Sequence, residues 1–242
     1  CLITDDWSRH RAVGYVQSYI MEVNQLSVPR GIYTVVAEGG AEQDIGFLVI
    51  SPMAEKGSLE VYKQGEALTS WNGSNFEYAI QYLAGATFRV TAAEDIVLPN
   101  GTVEYTGGTK IADITTGADG KAILNDIYAG KYTITEISAP EGYVLDSTPK
   151  TVTITENPDG GIVMGTVVFS NIRKESVASL TKKSEEGSDI TGAEFTIYAA
   201  NDIKDALGTV IVNNGTALQT VTTNAGKASF TLNLPYGNSF YI

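Results

Sequence analysis

The chain has 242 residues, 43% hydrophobic and 18% charged, a globular composition large enough to bury more than one core. Its net charge is −12, and its 16 Lys and Arg form no basic stripe, which argues against a nucleic-acid partner. The single cysteine, Cys1, rules out an internal disulfide, and the single histidine, His10 in the polar turn "WSRHRA", leaves no zinc-type site.

Residues 1–54 read as three or four strands, opening on the apolar "CLIT" and closing in "SPMAEKGS", an expected linker. They are taken as the C-terminal part of a β domain. From there on, strand-length runs rich in Thr, Val, Ile and Tyr alternate with Gly, Asn, Asp and Pro. Examples are "GSLEVYKQG", "ATFRVTAA", "GKYTITEIS", "KTVTITENPDGG" and "IVMGTVVFSN". Turn signals every 8–12 residues or so predict an all-β sandwich or barrel. Two short helices are expected, over "NFEYAIQYLAG" (75–85), where Phe76, Ile80 and Leu83 share a face, and more weakly over "NDIKDALG" (201–208). No apolar run is long enough to span a membrane, and no signal-peptide or sorting pattern is present.

The chain repeats itself. "LAGATFRVTAA" (83–93) returns as "ITGAEFTIYAA" (190–200), an offset of 192 − 85 = 107 between Gly85 and Gly192. "DGKAIL" (119–124) returns as "AGKASF" (225–230), and "IYAGKYTI" (127–134) as "LPYGNSFYI" (234–242). Each copy opens on a lysine-bearing strand, "SLEVYK" (58–63) or "ASLTKK" (178–183). Ordered landmarks at nearly the same offset predict tandem units, 57–174 and a truncated 175–242.

Three polar residues interrupt apolar strand faces in the first unit. Lys63 alternates with Val61 and Leu59, Glu136 with Ile134 and Tyr132, and Asn171 with Phe169 and Val167. A strand that surfaces at its end would explain any one of them. Buried together, they define a reaction. Burial favours the neutral, nucleophilic amine of the lysine and the protonated form of the acid. That acid can polarise the Asn171 carboxamide and carry protons as ammonia leaves. The expected product is a Lys63–Asn171 isopeptide bond, with Glu136 as the catalytic group.

The lysine strand, "GATF", "DGKA", "GKYTITEISAPEGY" and a last strand ending in Asn resemble the B-type repeat of Gram-positive collagen adhesins and SpaA-type pilins. The resemblance covers 57–174. It implies tandem immunoglobulin-like or transthyretin-like (prealbumin-like) sandwiches and the same three bond-forming residues, Lys63, Asn171 and Glu136. The departure is the 22-residue gap from Lys63 to Gly85, against 10 from Lys182 to Gly192. Residues 64–84 are read as an inserted excursion. In the second unit Lys182 is the candidate crosslink lysine, with Lys183 its register-shifted rival. The partners of Lys182 fall beyond Ile242, so no bond is expected there.

"VPRGIYTVVAEGG" with "DIGFLVISPM" is similar to the end of a pilin N-terminal domain. "VYK" (61–63) is similar to the "VYPK" by which shaft pilins are joined, without its proline. A Lys63 consumed by Asn171 cannot also link subunits. A Cys1–Gln17 thioester, as in related adhesin tips, is weighed against an ordinary buried cysteine. The acids of "TDD", "AEDI" and "SEEGSD" read as solvated turns, since none has a metal-loop spacing.

The leading expectation is therefore a structural stalk or adhesin segment of a cell-wall-anchored, extracellular Gram-positive protein. It would be no enzyme beyond one self-directed turnover, and no cofactor or metal is expected. Expected partners are neighbouring surface-protein subunits or a host extracellular ligand. Two alternatives stay open. One is a host-ligand module (matrix, mucin or immunoglobulin) with specificity in 1–54 or 64–84, Trp7, Trp71 and Tyr82 being candidate contacts. The other is an accessory β domain of a secreted enzyme.

Overall fold

A computed structural model describes residues 31–35, 46–50, 56–98, 101–155 and 163–242. Cys1, Trp7, His10 and Gln17 lie outside the described residues, so the thioester reading does too. Of 1–54, only β1 (Gly31–Val35) and β2 (Gly46–Ile50) are described, an antiparallel pair.

Every regular element among the described residues is a strand. In chain order they continue as β3 (Lys56–Trp71), β4 (Phe76–Tyr82), β5 (Thr87–Ala92), β6 (Ile96–Val97), β7 (Val103–Tyr105), β8 (Lys110–Thr115) and β9 (Lys121–Tyr128). Then come β10 (Gly130–Ser138), β11 (Lys150–Ile154) and β12 (Met164–Asn171). The last set is β13 (Ser179–Thr181), β14 (Glu194–Ala199), β15 (Ile203–Lys204), β16 (Val210–Val212), β17 (Ala217–Thr222), β18 (Lys227–Ser229) and β19 (Phe240–Tyr241).

The first core lies between two sheets. One has the order β11-β10-β5-β8; the other has β12-β3-β4, with β9 also paired to β3. Period-two alternation sends Leu59, Val61, Phe88, Val90, Tyr132, Ile134 and Phe169 into it, all at most 3% exposed. The first and last strands, β3 and β12, are parallel neighbours, with Val167 opposite Val61, Phe169 opposite Lys63 and Asn171 opposite Gly65. That adjacency brings residues more than a hundred positions apart to one end of the sandwich.

The second core repeats the pairing. β14 lies between β17 and β19 as β5 lies between β8 and β10. β13 pairs with β18 as β3 does with β9, and β15 with β16 as β6 does with β7. Phe240 faces Ala199 as Tyr132 faces Ala92. A buried threonine serves each copy in the same way. Thr116 accepts from Ala86 N and donates to Leu83 O; Thr223 accepts from Ala193 N and donates to Ile190 O.

Both expected helices are strands or turns instead. Over 75–85 the chain is β4, hairpinned to the long second half of β3 through 72–75. There Asn72 Oδ1 accepts from Ser74 N and Asn75 N, and Gly73 takes φ +95°. The helix-spaced set divides accordingly: Phe76 is buried and Ile80 is 59% exposed. Over 201–208, Ile203 enters the second core, and Asp205 Oδ1 accepts from Leu207 N and Thr209 N in a turn ended by Gly208 at φ +86°.

The β3–β4 hairpin, the candidate ligand loop, packs part of its surface on the second core. Phe76 belongs to the second core, with Leu68, Trp71 and Tyr78 packed against the same cluster. The Trp71 and Phe76 rings lie 4.6 Å apart, and the Tyr78 hydroxyl donates to Asn233 O at 2.9 Å. Ala206 N donates to Leu68 O at 3.0 Å. The aromatics of "SWNGSNFEY" are thus engaged within the chain, although Tyr82 stays 59% exposed.

Phe76→Ala should therefore destabilise the second core, by about 3–5 kcal/mol, although Phe76 is carried by a strand paired to β3. Amide exchange is the check. Protection in β14 and β17 should fall while that in β5 and β10 holds; equal losses would mean that the hairpin belongs to the first core.

Candidate functional site

Inward alternation along β3, β10 and β12 ends in a polar residue on each strand, all at the same end of the first core. Lys63 and Glu136 are 0% exposed and Asn171 is 5% exposed. The structure brings all three into contact. Lys63 Nζ donates to Asn171 Oδ1 and lies 3.0 Å from Glu136 Oε1. Asn171 Nδ2 donates to the same Oε1 at 3.0 Å. One carboxyl oxygen thus touches both nitrogens, and the amine sits against the carboxamide. The remaining oxygen, Oε2, accepts from the backbone N–H of Asp146 at 3.2 Å.

The surroundings are apolar. The Phe88 ring centroid is 6.0 Å from Lys63 Nζ, and Phe88 packs on Phe169 at 4.8 Å. Gly65, opposite Asn171, makes the close approach possible. A Cβ there would stand 2.8 Å from Tyr143 Cε1 and 2.9 Å from Asn171 O. Burial pulls the Lys63 amine below the ordinary lysine range, opposed in part by the hydrogen bond and charge of Glu136. Such a triangle can hold a neutral amine beside an amide carbonyl, with a carboxyl group placed to pass a proton from one nitrogen to the other.

Lys182 occupies the backbone position of Lys63. Lys63 N donates to Gly120 O and its carbonyl accepts from Leu83 N; Lys182 N donates to Gly226 O and its carbonyl accepts from Ile190 N. Its side chain is exposed, with no acid or carboxamide against it among the described residues. Lys183, the rival, is exposed and pairs with Asp189 at 2.8 Å. Among the described residues no group of three or more His, Cys, Asp or Glu is arranged to hold a metal, and no helix is long and apolar enough to cross a membrane.

Sequence reasoning missed Asp146, Gly65 and Phe88. "GKYTITEISAPEGYVLD" carried no sign that the chain would fold back so that an amide N–H ten residues on meets Glu136. Phe88 was visible only as part of "GATF".

Residues 77–167 match the sequence model of the SpaA family, described as a prealbumin-like fold domain. The matched stretch is a SpaA-type prealbumin-like domain; it contains Glu136 and stops short of Lys63 and Asn171. No curated protein matches the chain. Among solved structures, the chain is similar to the Bacillus anthracis TIE protein, at 25% identity and a TM-score of 0.51, over 76% of this chain and 27% of that one. It is similar also to GBS52, the minor pilin of Streptococcus agalactiae, at 19% identity and a TM-score of 0.35 over 63% of each chain. The major pilin SpaD from Corynebacterium diphtheriae follows at 20% identity and a TM-score of 0.38, over 62% of this chain and 39% of that one. The chain thus spans about a quarter of the TIE protein's length.

The depressed Lys63 pKa fixes the sign of a pH effect. With Glu136→Ala and Asn171→Ala together, the buried lysine has neither an acid nor a carboxamide partner. Its folded pKa then lies below the unfolded value of about 10.4, so the unfolded chain binds more protons between the two. The penalty is complete below the folded pKa and is relieved as pH rises toward the unfolded one. The double variant's melting temperature should rise from about pH 7 to about pH 10 relative to the same chain with Lys63→Met. Parallel curves would mean that Lys63 is not desolvated.

Proposed function

Starting from a SpaA-type prealbumin-like domain over 77–167, we propose that the chain is a structural stalk or adhesin segment of a Gram-positive cell-surface protein. In this reading, residues 57–174 and 175–242 are tandem B-type repeats and 1–54 closes a preceding β domain. The first repeat locks itself with an amide bond between Lys63 and Asn171. The observation that carries this is the single Glu136 oxygen lying 3.0 Å from both the lysine nitrogen and the asparagine amide nitrogen, inside an apolar core.

The reaction balances within the triangle. The neutral Lys63 Nζ attacks Asn171 Cγ, forming a C–N bond. The Glu136 carboxyl group donates to the carbonyl oxygen as charge develops there. It then takes a proton from Nζ and delivers one to Nδ2; the Cγ–Nδ2 bond breaks, ammonia leaves, and the re-forming carbonyl returns its proton to the carboxylate. Glu136 ends as it began. The turnover happens once per molecule, so the chain is its own substrate and no enzyme in the ordinary sense.

The mechanical consequence follows from strand order. Tension enters at the start of β3 and leaves at the end of β12, which are parallel neighbours. A bond from Lys63 to Asn171 passes it directly from one strand to the other, so the chain between them carries none. Closing that loop, a sequence separation of 108, would stabilise the repeat by about 4–5 kcal/mol on the chain-entropy model used for disulfides. An amide, unlike a disulfide, is not opened by reduction. Such a segment belongs outside the cell and on the wall, with neighbouring subunits of the same surface assembly as its partners.

The purified chain should weigh about 17 Da less than its sequence, the mass of one ammonia. Glu136→Ala should restore the full mass and lower stability by about 4–5 kcal/mol or more. Full mass in the native chain would refute the crosslink.

A further inference from the structure

The segment after β10 crosses the polar end of the first core and touches both strands that the proposed bond would join. It turns at 140–143, where Tyr143 N donates to Pro140 O at 3.1 Å and Gly142 takes φ +85°. It then clasps the chain just past Asn171. Tyr143 forms a bridge with Arg173, Val144 N donates to Ile172 O at 2.9 Å, and Lys174 N donates to Gly142 O at 2.7 Å. From the same point the Tyr143 hydroxyl reaches β3 and donates to Glu66 O at 2.9 Å, its ring over Gly65. Three residues on, Asp146 Oδ1 accepts from Thr148 N at 3.0 Å, a turn that aims the Asp146 N–H at Glu136 Oε2.

We infer that residues 143–146 form a positioning strap: Tyr143 holds the Asn171 strand end against the Lys63 strand, and the Asp146 N–H fixes the Glu136 carboxyl group so that Oε1 faces both nitrogens. The inference rests on the crosslink reading above. Its physical basis is the terminal torsion of a glutamate, which is broad and roughly two-fold, so the carboxyl plane is poorly set by the side chain alone. Both site contacts of Glu136 fall on one oxygen, and a rotated plane would lose them together. A donor on the other oxygen removes that freedom before the reaction begins. Tyr143 acts one step further out. It spans β12 and β3 at the residues that follow Asn171 and Lys63, where a small slip would separate amine from carboxamide. Neither residue touches the reacting atoms; both act through those that do.

The test compares crosslinking rates in newly made chains. Protein is pulse-labelled during cell-free synthesis and quenched at intervals in hot detergent, the crosslinked form being read as a mobility shift. Asp146→Asn keeps the N–H and the turn on Thr148; Asp146→Pro removes the N–H. Both remove the Asp146 charge, which acts on Lys63, so their difference reports the N–H donor together with the Thr148 turn that aims it. The Asn variant should react within about threefold of the native rate and the Pro variant at least about tenfold more slowly. In a Lys63→Met background, where no bond can form, melting shows whether the Pro chain folds. A folded Asp146→Pro chain that crosslinks as fast as Asp146→Asn overturns the inference. If that chain does not fold, Tyr143→Phe decides: several-fold slowing supports the strap, and a native rate overturns it. A native chain with no shift at all sinks the crosslink itself and the strap with it. A native shift with equal variant rates sinks the strap alone.

Discussion

The contact among Lys63, Glu136 and Asn171 is what the rest of the first core has to accommodate. Three polar side chains are enclosed among Phe88, Phe169 and aliphatic neighbours, where an unpaired amine or carboxyl group is strongly disfavoured. They tolerate burial because each hydrogen-bonds the others and because one backbone N–H serves the oxygen left over. As a source of stability alone such a triad is a poor choice, since well-packed apolar residues of similar volume often do as well or better. Its chemistry accounts for it better than its packing does. Condensation would turn a buried amine and a carboxamide into one neutral amide, leaving the carboxyl group a single new N–H to face.

The neighbouring architecture takes on meaning around that contact. Parallel pairing of β3 with β12 places the chain's entry to and exit from the first core side by side. The β3–β4 hairpin grows out of the same strand just past Lys63 and supplies Phe76 to the second core. Arg173, two residues past Asn171, stacks on Tyr78 with its guanidinium carbon 3.8 Å from the ring centroid and donates to Asn233 Oδ1 at 2.7 Å. The strands that would be joined are therefore also those that reach the second core, one through its hairpin and the other through the residues that follow it.

Much of this is legible in the amino-acid sequence. Lys63, Glu136 and Asn171 stood out because each breaks an apolar alternation that is otherwise clean, and period two fixes which neighbours share its face. The tandem pairing was legible because "GATF" and "GAEF", then "DGKA" and "AGKA", recur in order. What failed had physical reasons. "NFEYAIQYLAG" places Phe76, Ile80 and Leu83 at helical spacing, and only the "NGSN" turn before it favours a hairpin; the long partner strand that decides the matter lies earlier in the chain. The buried threonines Thr116 and Thr223 sit at the shared offset of 107, but a threonine in a β-rich chain is too common to announce a role. The Asp146 contact uses a backbone N–H, which every residue but proline possesses, so no residue type could signal it.

A tryptic digest read by tandem mass spectrometry tests the central claim most directly. Trypsin cuts after Lys56, Arg89, Lys150 and Arg173, but not after an acylated lysine. A bond as described leaves one branched peptide in which 57–89 and 151–173 are joined through Lys63 and Asn171, lighter by ammonia than its two parts. Free peptides 57–63 and 64–89, beside an unmodified 151–173, would contradict it.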